Sequence, residues 1–242
     1  MRVLSLVHQA DAGSGVFADE ASATGHELEE WVPARAPLPR PLEHYDALVA
    51  FGGGMQADQE DEHPWLLVVL DVLRAALDTG VPTLGVCLGA QVLARVAGGE
   101  VGPAASAEWG WNSVELTPEA QHDPLLAGLP ARLDVLQWHS YAFGLPPDAV
   151  ALARSPVSLQ AFRVGPAAWG VQWHPEVTGA TVMLWGERYP PQPGGVAVDI
   201  DLDRLRADVA ARMAATNTAG RRLFARFLAV AAEPRRASSL TI

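Results

Sequence analysis

Two short apolar runs, each ending on a turn built around glycine, constrain this chain more than anything else in it. Residues 47–51 (ALVAF) run straight into Gly52-Gly53-Gly54, and residues 82–86 (PTLGV) run into Cys87-Leu88-Gly89. Strands buried on both faces read as continuous apolar runs of this kind, and they belong to parallel sheets covered by helices on both sides. A helical pattern follows each turn. Residues 65–77 carry apolar side chains at helical spacing behind an acidic stretch at 58–62, where negative charge suits a helix start. Residues 88–97 read as a second helix, stopped by Gly98-Gly99. This alternation predicts an α/β fold with a doubly wound, mostly parallel sheet flanked by helices.

The flanks extend that sheet. Residues 3–7 and 27–32 read as two more strands, the second followed by a proline-rich connection at 33–41. Runs at 113–116, 133–138, 150–153, 159–164 and 168–173 lie close together, with turn signals such as LPPD at 145–148, and predict a small antiparallel addition. Residues 189–196 (YPPQPGGV) read as a loop or insertion. Residues 203–232 read as two helices broken near Asn217, and residues 233–242 as a frayed tail. Without an internal repeat, residues 1–232 are expected to form a single domain.

Composition narrows the function classes. With 242 residues, 49% hydrophobic and 19% charged, the chain can bury a substantial core. A formal net charge of -11 argues against a nucleic-acid partner, which needs clustered basic residues. No stretch approaches the about 18 uninterrupted apolar residues of a membrane span, and the N-terminus lacks a cleavable-signal pattern. One cysteine allows no intrachain disulfide. A cytoplasmic location without membrane partner is therefore expected. No Cys/His spacing suggests a metal, and no GxxxxGK[ST] loop suggests a nucleotide, so no cofactor is expected.

Gly85-Val86-Cys87-Leu88-Gly89 has the layout of a nucleophile elbow, G-x-nucleophile-x-G, between a strand and a helix. Glycine at positions two either side leaves room for a tight turn. A cysteine there lies at a helix N-terminus, where free N–H groups and the helix dipole favour thiolate, and the Leu88 N–H points where an oxyanion would form. Taken alone, Cys87 reads equally well as an inert core thiol. A second segment breaks the tie. An apolar strand delivers His174, Pro175 stops it, and Glu176 follows. A thiol nucleophile needs a base to take and return a proton, and the base needs a third group to fix its tautomer; His174 and Glu176 fit those roles.

GVCLGAQ (85–91) together with GVQWHPE (170–176) resembles the class I glutamine amidotransferase family. FGGGMQADQEDEHPWL (51–66) is similar to the family's glycine loop, especially in the branch that resembles the glutaminase part of GMP synthase. EWGW (108–111) and WHSYAF (138–143) fall at family-like places, less specifically. The resemblance implies a flavodoxin-like fold and a Cys87-His174-Glu176 triad that cleaves the side-chain amide of glutamine through a cysteinyl thioester. It implies an oxyanion hole from Gly53, Gly54 and Leu88, and substrate contacts from Gln91, Trp138, His139 and Ser140. It implies glutamine or another γ-glutamyl amide as substrate. The ammonia would pass to a separate synthase subunit, or be released by a free-standing γ-glutamyl amide hydrolase; both activities need the same residues. A regulatory protein that kept the fold without the chemistry is the alternative from another class, and competent residue types at all three triad positions count against it.

Overall fold

The computed structural model describes residues 1–188 and 200–233. The expected loop at 189–196, and the tail from residue 234 on, lie outside the described residues. In chain order the strands are β1 (Arg2–Leu6), β2 (Glu27–Trp31), β3 (Ala47–Ala50), β4 (Thr83–Val86), β5 (Val101–Leu116), β6 (Arg132–Phe143), β7 (Val150–Arg154), β8 (Leu159–Val164) and β9 (Ala168–Val171). The helices are α1 (Val16–Ala23), α2 (Trp65–Asp78), α3 (Leu88–Val96), α4 (Gly179–Arg188) and α5 (Leu202–Ala231).

The described strands form one sheet in the order β2-β1-β3-β4-β9-β8-β7-β5-β6. The first five run parallel, and from β9 through β8, β7, β5 and β6 each pairing is antiparallel. The α/β architecture expected, a parallel sheet flanked by helices and extended by antiparallel strands, is the one found, as a mixed sheet with four parallel and four antiparallel pairings. The addition is larger than the sequence indicated, because β5 begins at Val101 and pairs along β6 from Val101↔Phe143 to Glu115↔Arg132.

Alternation along the parallel strands divides the core. Val3, Val49, Phe51, Leu84 and Val86 face α1 and α5, where Phe17 and Phe224 stack with ring centroids 4.4 Å apart. Leu4, Leu6, Leu48 and Ala50 face the opposite way, against Val69 and Leu73 of α2 and Leu88 and Val92 of α3. Both faces of these strands are therefore covered, which is why they read as unbroken apolar runs.

The C-terminal helix differs from its expectation. α5 is one helix of 30 residues, with no break at Asn217. The hydroxyls of Thr216 and Thr218 turn back to the carbonyls of Arg212 and Ala214 instead of opening a turn. Buried Met213, Gly220, Leu223, Phe224, Phe227 and Leu228 continue the packing face through this stretch.

One consequence of the topology prepares the site. β1, β3, β4 and β9 are neighbours and run parallel, so their carboxyl ends open on the same edge of the sheet. In order, those ends carry His8 and Gln9, the glycine loop, Cys87, and the His174–Glu176 segment. Open α/β sheets form their crevices along such an edge.

Candidate active site

The turn after β4 holds Cys87 at φ 51° and ψ -110°, a left-handed conformation that costs a non-glycine residue about 1–3 kcal/mol. Its surroundings over-determine it. The Cys87 N–H is donated to Val171 O at 2.9 Å, its carbonyl accepts from Gln91 N at 3.0 Å, and Gly89 N–H reaches Phe51 O at 3.1 Å. The flanking glycines are sterically required. A Cβ at Gly85 would stand 2.6 Å from Gly89 O, and one at Gly89 would overlap Ala50 O. Cys87 therefore occupies the N-cap position of α3, the positive end of the helix dipole, although its side chain makes no capping hydrogen bond. The thiol is 3.9 Å from Trp138 O.

His174 arrives from the end of β9 and is held by its own N–H to Leu136 O at 2.8 Å. Its Nδ1 lies 2.8 Å from Glu176 Oε1, with both side chains buried. The other carboxylate oxygen, Oε2, is buried without a partner among the described residues, so Glu176 commits its charge to the imidazole. Burial opposes a charged His174, but the Glu176 carboxylate and the Cys87 sulfur outweigh it, and the His174 pKa is raised from 6.5 to about 10. A protonated imidazole therefore stands beside the Cys87 sulfur.

The glycine loop closes over this pair. A Cβ at Gly52 would lie 3.0 Å from His174 Cε1 and 3.6 Å from Cys87 Cβ, so glycine there leaves room for the imidazole and the cysteine beneath the backbone. Two residues that the sequence reading missed fix the loop. His8 is buried and lies 2.8 Å from Phe51 O through Nδ1, and burial pushes its pKa down to about 4, so the ring is neutral and donates that bond. Gln9 accepts the Gly54 N–H at 2.8 Å and donates to Asp11 Oδ1 at 2.6 Å. Of the three expected oxyanion donors, Gly54 thus already gives its N–H to a side chain. The Gly53 backbone lies next to Leu88, whose Cδ2 would be 3.1 Å from a Cβ at position 53.

A cavity of about 60 Å³ is lined by Gln9, Ala12, Gly53, Gly54, Cys87, Trp138, His174 and Trp185. Trp185 of α4 was not singled out from sequence; nothing in its spacing from His174 marks it. Its indole packs edge-on against His174, with centroids 4.8 Å apart.

The expected substrate-contact residues separate. Trp138 lines the cavity. His139, next along β6, points to the opposite face and pairs through Nε2 with buried Glu108 at 3.3 Å, its cross-strand partner. Glu108 also accepts from Gln160 at 2.8 Å and Ser155 at 3.0 Å. Gln91 is buried and donates to Tyr141 O at 3.0 Å, the carbonyl that also meets His139 Nδ1 at 2.9 Å. Gln91 and His139 thus clamp β6 from behind and do not line the cavity. Ser140 is half-buried two residues beyond Trp138. Among the described residues, no group of three or more His, Cys, Asp or Glu side chains is placed to hold a metal ion.

A strand-end thiol at a helix start thus stands beside a buried His–Glu pair from a neighbouring strand end of an α/β sheet. The family model for glutamine amidotransferase class-I matches residues 20–182, and the chain belongs to that family, whose members are cysteine-dependent amidohydrolases and transferases. A glutamine amidotransferase from Thermotoga maritima superposes with a TM-score of 0.84 at 30% identity, covering 94% of this chain and 98% of that one. The chain is 45% identical to a glutamine-hydrolysing GMP synthase from Aeropyrum pernix over 103 residues, 42% of this chain and 20% of that protein's length. It is 32% identical over 148 residues to a gamma-glutamyl-L-1-hydroxyisopropylamide hydrolase from Pseudomonas sp, covering 57% of this chain and 50% of that protein.

Proposed function

We propose that this protein hydrolyses the side-chain amide of glutamine, or of a related γ-glutamyl amide, through a thioester on Cys87. The observation that carries this reading is the buried His174–Glu176 pair beside a thiol in a strained elbow at a helix start. The Cys87 thiolate attacks the amide carbonyl. The Gly53 and Leu88 N–H groups receive the oxyanion, while Gly54 keeps the loop tied to Gln9. His174 protonates the departing nitrogen, then takes a proton from the water that cleaves the thioester. Glu176 holds the imidazole in the tautomer that points Nε2 at sulfur. Gln91 and His139 act as positioning residues, holding β6 so that Trp138 and Ser140 face the substrate.

A glutaminase subunit serving a separate synthase is supported by the resemblance to GMP synthases, and a free-standing hydrolase by the resemblance to the Pseudomonas hydrolase. Ammonia release from glutamine by the isolated protein tests the proposal and separates the two. Steady turnover alone is expected of the hydrolase, and slow turnover of the subunit. In either case Cys87→Ser and His174→Ala lower the rate by about 1,000-fold or more. Undiminished turnover in Cys87→Ser removes the proposed mechanism.

A further inference from the structure

The cavity beside Cys87 has a wall for which ammonia chemistry has no use. Trp138 from β6 and Trp185 from α4 line it together, with ring centroids 5.9 Å apart and planes tilted by 52°. Trp185 is fixed on two sides. Its edge-on contact with His174 holds the ring, and its indole N–H is donated to Asp11 O at 3.1 Å. The rest of the lining is Gln9, Ala12, Gly53, Gly54, Cys87 and His174. Two indoles therefore line the cavity, one of them packed against His174.

Proton transfer decides which part of a substrate meets them. The carbonyl oxygen must lie toward the Gly53 and Leu88 N–H groups. The nitrogen must lie toward His174, which supplies its proton. Any group attached to that nitrogen then extends past His174 toward its neighbours, Trp185 and Trp138. Glutamine carries no such group, and released ammonia would gain nothing from two indoles. An alkyl or aryl substituent would bury against both.

We propose that Trp138 and Trp185 form a leaving-group subsite that selects γ-glutamyl amides bearing an apolar substituent on nitrogen over glutamine itself. This rests on the reading of Cys87 as the acyl-forming nucleophile. The thiolate forms a C–S bond to the γ-carbonyl carbon. Collapse of the oxyanion breaks the C–N bond as the His174 imidazolium gives its proton to nitrogen, so a primary amine leaves across the indoles. Water then adds to the thioester and passes a proton to His174. The C–S bond breaks and returns the thiolate, and the balance is amide plus water to glutamate plus amine.

The test compares kcat/KM for glutamine and for γ-glutamyl-n-propylamide, read as glutamate formed, in the wild type, Trp138→Ala, Trp185→Phe and Trp185→Ala. An apolar substituent in a fitted pocket is worth about 10- to 200-fold in kcat/KM, so the wild type is expected to prefer the propylamide by at least about 10-fold. Trp138→Ala and Trp185→Ala should each reduce that ratio by about 10-fold, and Trp185→Phe, which keeps a ring against His174, should retain most of it. A wild type that prefers glutamine overturns the subsite. So does an equal loss on both substrates in the tryptophan variants, which would mark the indoles as packing for His174. Labelling of Cys87 by a glutamine affinity reagent is measured alongside. If Cys87 takes the label while the preference is absent, the subsite alone falls; if it takes no label, the mechanism falls and the subsite with it.

Discussion

Gly220 of α5 lies directly against Pro175, so close that a Cβ at position 220 would overlap the Pro175 carbonyl oxygen. The segment between His174 and Glu176 is pinned from the other side as well. Val16 N–H is donated to Glu176 O at 2.8 Å, and a Cβ at Gly15 would overlap that same oxygen. His174 and Glu176 are therefore set by two helices that, among the described residues, do not line the cavity. Gly220→Ala is expected to push the His174 turn away from Cys87. Overpacking of this kind costs about 1–3 kcal/mol, and the displaced imidazole should lower kcat by more than the fall in Tm alone explains. A melting curve and a kcat measurement on the same sample check this; an unchanged kcat contradicts it.

The raised pKa of His174 is expected to set the alkaline limb of activity. Burial works against the proton, but Glu176 and the Cys87 sulfur win, and the group moves from 6.5 to about 10. Because the folded value lies above the unfolded one, this stabilisation is complete below pH 6.5 and is lost as pH rises through about 10. The kcat/KM for glutamine should therefore hold through about pH 7 to 9 and decline as pH nears 10. Glu176→Gln should move the decline to lower pH. A wild-type decline centred between pH 6 and 7 contradicts the raised His174 pKa.

His8 works in the opposite sense. Burial holds its pKa down at about 4, while the unfolded chain takes the proton near 6.5. Stability is then full above pH 6.5 and falls with pH toward 4, by on the order of 3 kcal/mol. His8→Asn keeps an N–H for Phe51 O without titrating. Urea midpoints at pH 7 and pH 5 should separate more for the wild type than for His8→Asn; equal separations contradict this role.

Gln9 ties the glycine loop by taking the Gly54 N–H while donating to Asp11. Gln9→Ala should loosen the loop and lower kcat by about 10-fold, while global stability changes by about 1 kcal/mol, the worth of an ordinary hydrogen bond. Steady-state kinetics with a thermal melt read both effects. A kcat equal to wild type would show that the tether has no part in the chemistry.

The parts legible in the sequence were those with a local cause. β3, β4 and α3 were readable because strands buried on both faces are continuous apolar runs, and Gly85 and Gly89 mark a turn that no other residue fits. The His174–Glu176 pair was readable because its spacing is local. β5 was readable only at its end, since residues 101–112 mix glycine, alanine, serine and glutamate on strands whose faces are only partly buried. α1 and α4 were missed; their short runs, VFADEASA and GATVMLWGER, gain their buried faces only from α5 and the sheet. The reading of a break at Asn217 gave too much weight to polar side chains that fold back on their own helix. His139 is the instructive residue. Its place in the family-like segment WHSYAF suggested substrate, but strand alternation turns it toward Glu108, 31 residues away in the chain and opposite only once β5 and β6 pair.

The central claim is that Cys87 becomes acylated. Incubation with the glutamine affinity label 6-diazo-5-oxo-norleucine, followed by peptide mass spectrometry, reads the nucleophilic attack that begins acylation, because the Cys87 sulfur displaces N2 from the label and is left alkylated. The expected result is one adduct, on the peptide containing Cys87, slowed in His174→Ala and absent in Cys87→Ser. Turnover of glutamine with Cys87 left unmodified by the label, or undiminished in Cys87→Ser, would contradict the account.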